Sequence, residues 1–336
     1  MTQLSTEPAA QTTRPKRRLL YGLLRMALGG AVIALLLVRS DLGSIARAIT
    51  NARPGFIVAA FGSMLAMLVV GAFRWQLFLR SLGMPLPRWT LLRLYLVGTF
   101  FNAFLPTGVG GDAYKAMRLR AEPGSLGVAL ASVMLDRASG LVALAMIGLV
   151  GAGAQFAAGD HGRVVGAGAA LAILVLGGTV AALALGQRLR GRPQPVGVNL
   201  RERIAGTLRN AVVAARDRRV AGTAIFLGLI VQGLLLLANV LLAAGMRIDV
   251  PIAAVAALLV IVSLAAALPL SINGVGFREA AYVWSLGAYG VGHDRALAFA
   301  LLMLGLLLAT SAVGAVVYVV AGGSVDRAER PISGQR

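Results

Sequence analysis

Long apolar runs alternate with short, arginine-rich polar segments along almost the whole chain. The first run extends from Leu19 to Val38, and Arg25 near its start can stretch its head group back to an interface. Residues 39–53 carry Asp41, Arg47 and Arg53 and read as an interfacial segment. Pro54 to Leu79 is the second run, long enough for a bilayer core at about 1.5 Å per helical residue. Arg74-Trp75 near its inner end reads as a snorkelling arginine beside an interfacial tryptophan, with a substrate contact as the alternative. Ser125 to Val150 is unbroken except for Asp136-Arg137. Val164 to Leu185 is clean, and Ala221 to Ala244 carries only Gln232 and Asn239. The last run is Ala296 to Val320.

Two further stretches begin as membrane helices and then break. In Leu91 to Met117 the apolar approach gives way to Phe101-Asn-Ala-Phe-Leu-Pro-Thr-Gly-Val-Gly-Gly-Asp-Ala-Tyr-Lys115. In Pro251 to Arg295 it gives way to Leu268-Pro-Leu-Ser-Ile-Asn-Gly-Val-Gly-Phe-Arg-Glu-Ala280. Proline removes a backbone donor, and glycine opens backbone angles closed to other residues. Broken backbone at membrane depth is tolerated only where protein buries it or a wet cavity receives it. The plainer alternative is a short extramembrane turn with solvated charges.

Arginine placement sets the sidedness. Residues 187–220 hold nine Arg against Glu202 and Asp217, the strongest positive-inside signal in the chain. That loop, residues 80–93 and 115–120, and both termini then read as cytoplasmic. Parity makes residues 91–117 start and end inside, and residues 251–295 start and end outside. Aligning the two Gly-Val-Gly turns pairs Gly108 with Gly274, Gly110 with Gly276 and Asp112 with Arg278. Three spans separate the copies, so the second is inverted. Interrupted helices in corresponding positions of inverted repeats are a signature of transporters, with the site near the midplane. The expected fold is an all-α polytopic membrane protein of about eight hydrophobic segments, two of them broken or re-entrant and related as an inverted repeat.

Composition agrees and removes several function classes. The 336 residues are 58% hydrophobic and only 13% charged, where a soluble domain carries about 25% charge. Mean hydropathy is +0.81. Cysteine is absent, which excludes disulfides and thiol chemistry. The two histidines, His161 and His293, fall in short loops, so no metal site is expected. The net charge of +19 lies mostly between apolar runs, where it sets topology and meets anionic inner-leaflet lipid; no nucleic-acid partner is expected. Neither lysine sits in a Walker A loop, and no cofactor loop is recognisable.

The candidate chemistry is carried by charges at depth, which are functional hypotheses by default. Asp136 and Arg137 lie roughly 17 Å into their helix at its usual rise. They are adjacent, so they do not face each other, whereas Ser132, Asp136 and Ser139 share a face. A buried structural ion network is the alternative. Gln232 and Asn239 share another face and read as interhelical hydrogen-bonding groups. A half-helix starting near Gly111, with Lys115 a turn later, favours an anion, and Asp112 reads as its cap. A second half-helix starting near Phe277 places free amides beside Arg278, whose forked head matches phosphate, with Glu279 balancing the charge of the empty site. Gly110, Gly274 and Gly276 are read as letting the backbone approach the ligand, and Asn102 and Asn273 as donors beside the breaks. All of these, with Asp136 and Arg137, are expected to face one cavity.

Three motifs now carry a family resemblance. Phe101 to Asp112, Leu135-Asp-Arg-Ala-Ser-Gly-Leu141 and Leu268 to Ala280 occur in the order seen in the flippase-like family, also named for the lysylphosphatidylglycerol synthase transmembrane region. The resemblance spans roughly residues 20 to 320, and Asn-Gly-x-Gly-x-Arg-Glu is its most specific stretch. Where that family more often has Glu-Arg, this chain has Asp136-Arg137. The resemblance implies lipid translocation by a membrane module that in some members precedes a soluble synthase domain. Here the sequence ends shortly after its last run, so synthase activity is not implied. The expected organisation is a basic N-terminal tail at 1–18, a membrane domain at 19–321 and a cytoplasmic tail at 322–336. The expected function is flipping a lipid with a phosphate-bearing head group across a bacterial-type inner membrane. The rival is a membrane enzyme or accessory subunit acting on a lipid or isoprenoid intermediate. A homodimer is left open.

Overall fold

The computed structural model describes residues 14–105, 110–119, 125–160, 162–188 and 217–321. Those residues form helices and connecting turns, with no strand among them. The helices are α1 (Arg14–Val38), α2 (Leu42–Thr50), α3 (Pro54–Ser81), α4 (Arg88–Phe104), α5 (Gly110–Arg118), α6 (Ser125–Ala157), α7 (Arg163–Arg188), α8 (Arg218–Gly245), α9 (Ile252–Ala267), α10 (Phe277–Gly287) and α11 (His293–Val320). A 3₁₀ turn at Ile272–Gly274 joins α9 to α10.

Against the expected count of about eight hydrophobic segments, the described residues hold five or six candidate spans. Five helices are long and apolar enough to cross a membrane alone: α3, α6, α7, α8 and α11. The first segment is a bent pair, α1 and α2, turned through 94°. Asp41 caps α2 by accepting from the amides of Gly43 and Ser44, so the bend at Arg39 to Asp41 begins a new helix. The segments 91–117 and 251–295 are each divided into two shorter helices.

Small residues set how closely these helices approach, as apolar packing without a hydrophobic drive requires. α3 and α8 run antiparallel, from the Arg53 amide bonded to Gly245 O (3.0 Å), through Ser63 Oγ donating to Leu234 O (2.7 Å), to Arg74 beside Gly228. α6 and α9 also run antiparallel, with Gly148 and Gly151 against Val260, Ala256 and Ala253. Gly314 of α11 lies on the Leu96 carbonyl of α4. The largest apolar core collects α2, α3, α8, α9, α10 and α11 around Met64, Leu242, Leu258 and Leu297.

Each broken segment folds back on itself. α5 returns antiparallel along α4: Gly111 lies on Gly98 and Asn102, Lys115 on Tyr95, and Leu119 in one cluster with Leu91. In the second segment Gly274 lies on Ala266, so α10 turns back beside α9. Both returning helices therefore begin inside the bundle. α4 also touches the 3₁₀ turn, so the two broken segments are neighbours.

Candidate functional site

The first site forms where α5 begins. The Gly111 amide donates to Asn102 Oδ1 at 2.8 Å, which ties α5 to α4. Asn102 thus does the capping that the sequence assigned to Asp112. Asp112, in the first turn of α5, instead accepts from Arg137 of α6 through Nη2 (2.8 Å) and Nε (3.0 Å). Lys115 Nζ stands 3.9 Å from the other Asp112 oxygen and over the rings of Tyr95 (4.0 Å) and Trp75 (5.1 Å). Aromatic faces attract a desolvated cation, which helps the ammonium tolerate burial.

Asp136, one residue before Arg137, faces away and accepts from Arg74 Nε of α3 at 2.8 Å. Arg74 is 5% exposed and Trp75 is fully buried, its indole N–H donating to Ser132 Oγ at 3.1 Å. Arg74 therefore does not snorkel. A buried carboxylate one helix away holds it inside, an interaction invisible from its position near the end of its own run. Arg74 Nη1 is buried with no hydrogen-bond partner in the structure, as is Gln232 Oε1. Gln232 Nε2 donates to Gly140 O at 3.1 Å, and Arg74 Nη1 lies over Gly140 as well.

The five charges Arg74, Asp112, Lys115, Asp136 and Arg137 thus form one network on α3, α5 and α6. Three cations face two carboxylates, leaving one positive charge in excess. Four members are at most a tenth exposed, whereas 56% of the Arg137 side chain is open.

The second site forms where α10 begins. Glu279 is fully buried, and its Oε2 accepts from the Gly276 amide at 2.6 Å. This is half of a capping box, since Gly276 has no side chain to return the bond. Glu279 Oε1 accepts from Arg278 Nη2 (2.9 Å) and Nε (3.1 Å). One helical turn after Arg278, Tyr282 donates to Asn239 Oδ1 of α8 at 2.7 Å. Asn273 has a left-handed φ of 50°, and Gly274 and Gly276 have φ of 74° and 90°. Asparagine and glycine suit those angles.

The sequence-predicted residues are therefore brought together as two groups, not one. Asn102, Gly110, Asp112, Lys115, Asp136 and Arg137 gather around α5, while Asn273, Gly274, Gly276, Arg278 and Glu279 gather around the start of α10. The space beside the glycines is taken by protein: Gly110 faces Leu105, Gly274 faces Ala266, and a Cβ at Gly276 would lie 2.5 Å from Gly29 O of α1. Pro106 to Val109 and most of the basic loop 187–220 lie outside the described residues. In the sequence Arg74 reads as an interfacial anchor because it lies near the inner end of α3 beside a tryptophan. Among the described residues no group of three or more His, Asp or Glu side chains is placed to hold a metal.

A comparison with curated proteins finds no match. A family model does match, over residues 23–315, from within α1 to within α11 and across both broken segments. A bundle of apolar helices with that coverage places the protein in a multi-pass membrane family with lipid-related function. The chain belongs to the family of the lysylphosphatidylglycerol synthase TM region.

Proposed function

We propose that this protein moves a lipid with a phosphate-bearing head group from one leaflet of the membrane to the other. The observation that carries the reading is the network at α5, with three cations, two carboxylates and one member open. An excess charge in an apolar bundle is costly without a counter-ion. A phosphate supplies one, and the Arg137 fork can take it in two-pronged geometry by exchanging Asp112 for a phosphate oxygen. The lipid tails stay in the hydrocarbon while the head group crosses along the polar side chains.

In this reading the two folded-back segments are re-entrant gates related as an inverted repeat, meeting where α4 touches the 272–274 turn. Arg278 receives the head group at the second gate after releasing Glu279. The protein acts as a carrier, not as an enzyme, in a bacterial-type inner membrane, with both termini and the basic loop in the cytoplasm.

Reconstitution in liposomes tests the reading. Head-group-labelled lipids are placed in one leaflet, and their appearance in the other is timed. Phosphate-bearing lipids should cross faster with protein than without, and Arg137→Gln should slow them. Equal rates in protein-free vesicles for every head group would overturn it. For sidedness, a cysteine at Gln194 should react with an impermeant reagent only after the inner face is opened.

A further inference from the structure

The far end of the bundle holds a second cationic place. A pocket of about 430 Å³ is lined by Ala48 and Asn51 at the end of α2, by Met246 and Arg247 just after α8, and by Arg295 of α11. It lies where α3 begins and α8 ends, since the Arg53 amide is bonded to Gly245 O (3.0 Å). Arg74 is about twenty residues further along α3, roughly 30 Å away at the helical rise. The apolar spans of α3, α8 and α11 all end at this level, which is the level of lipid head groups. No residue of α4, α5, α9 or α10 lines the pocket.

Two observations mark the pocket as a binding site. First, α8 closes in a Schellman turn, with the Ile248 amide on Ala243 O (2.8 Å) and the Arg247 amide on Ala244 O (3.1 Å). The residue after the cap then takes a left-handed angle, and φ of Arg247 is 56°. Glycine is usual there, and a long side chain is strained. A chain with 42 glycines places an arginine at that point instead. Such strain clusters where a side chain clamps a ligand. The Arg247 side chain is exposed and makes no hydrogen bond or ion pair among the described residues. Second, Arg295 is fixed over the same turn, its Nη2 donating to Met246 O and Arg247 O, both at 2.7 Å. Its Nε and Nη1 are left unengaged among the described residues. Asp249 and Asp294 are near in sequence, but no carboxylate lines the pocket among the described residues.

The geometry points to an anionic phospholipid bound in this pocket, its phosphate held between Arg247 and Arg295. A guanidinium fork matches phosphate oxygens, and two cations without a carboxylate favour a head group with no ammonium of its own. This lipid is resident and is not the one carried: it ties α2 to the ends of α8 and α11. The inference is independent of the head-group path proposed at α5.

The test is thermal unfolding of the purified full-length protein in uncharged detergent micelles. Phosphatidylglycerol, phosphatidylcholine or inorganic phosphate is titrated in. Phosphatidylglycerol should raise the unfolding midpoint to a plateau, as a ligand of the folded state does. Arg247→Gly suits the left-handed angle, so it should fold with an unchanged or higher midpoint in the absence of lipid. It should nevertheless need about ten- to a hundredfold more phosphatidylglycerol for half of the rise, as expected for one lost charged hydrogen bond. Arg247→Asn, also at home at that angle, should behave alike. Arg218→Gln, an exposed arginine at the other end of α8, should respond as wild type does. No rise in wild type, or a rise kept in both Arg247 variants, overturns the inference. A loss shared by Arg218→Gln assigns the effect to surface charge and overturns it too. An equal rise with phosphatidylcholine overturns the preference for an anionic lipid, and a full rise with inorganic phosphate overturns the lipid itself.

Discussion

Removing Asp136 is the sharpest test of the network at α5. In the Asp136→Leu variant, Arg74 loses the carboxylate 2.8 Å away, while its Nη1 already lacks a partner among the described residues. Both side chains are under a tenth exposed, so water cannot take over. The network then carries two unbalanced positive charges instead of one. Breaking a buried ion pair from one side costs about 3–5 kcal/mol, which raises the unfolding constant by roughly two to four orders of magnitude. Replacing both partners, Arg74→Met with Asp136→Leu, removes the charges in balance and leaves apolar groups of similar bulk. That change is neutral or stabilising by about 1–4 kcal/mol in comparable buried pairs. The assay is equilibrium unfolding in mixed micelles of rising SDS fraction, followed by tryptophan fluorescence, because Trp75 is buried beside the pair. The exposed pair Asp41–Arg47 serves as the control. A single variant within about 1 kcal/mol of wild type, or a double variant no more stable than the single, would refute the claim that the pair is buried and mutually dependent.

Gly111→Ala should destabilise by about 1–3 kcal/mol, because its Cβ would occupy the place of the Gly98 carbonyl and force α5 off α4; Gly30→Ala, which meets nothing, should not, and the same unfolding assay separates them. Tyr282→Phe should cost about 1–3 kcal/mol by leaving the Asn239 amide oxygen buried without its donor, and an unchanged unfolding midpoint would sink the α8–α10 tie. Arg278→Ala leaves Glu279 buried and charged and should unfold the second turn, whereas Arg278→Ala with Glu279→Gln should fold; normal lipid transport by that folded double variant would remove Arg278 from the path.

Much of the architecture follows from one-dimensional properties of the chain. Bilayer thickness sets a length, and hydrocarbon excludes charge, so α3, α6, α7, α8 and α11 can be read from runs of apolar residues, although α6 continues to Ala157, seven residues beyond the Val150 at which its run reads as ending. Backbone chemistry is equally local. Pro269 with Gly274 and Gly276 marks the second break because no continued helix accommodates them, and φ of 74° and 90° at those glycines is the result. The start of α10 at Phe277 and of α5 beside Gly111 is legible for the same reason. The facing of Asp136 and Arg137 in different directions is also local, set by the turn of one helix.

What the chain alone left undecided is which polar groups meet, and there the tertiary structure differed. Arg74 and Trp75 near a helix end read as interfacial anchors, but α6 brings Asp136 and Ser132 against them and both are buried. Asp112 sits where a cap would be, yet Asn102 from α4 takes the Gly111 amide and frees Asp112 for Arg137. The glycines of the second break read as an approach for a ligand, but Ala266 and the α1 backbone fill the space beside them. Each of these outcomes depends on a partner tens of residues away. Hydropathy is a sum over one helix and is blind to its neighbours. A hydrogen bond or ion pair depends on distances of a few ångströms across a helix interface, and only the packing of small residues at those interfaces sets them.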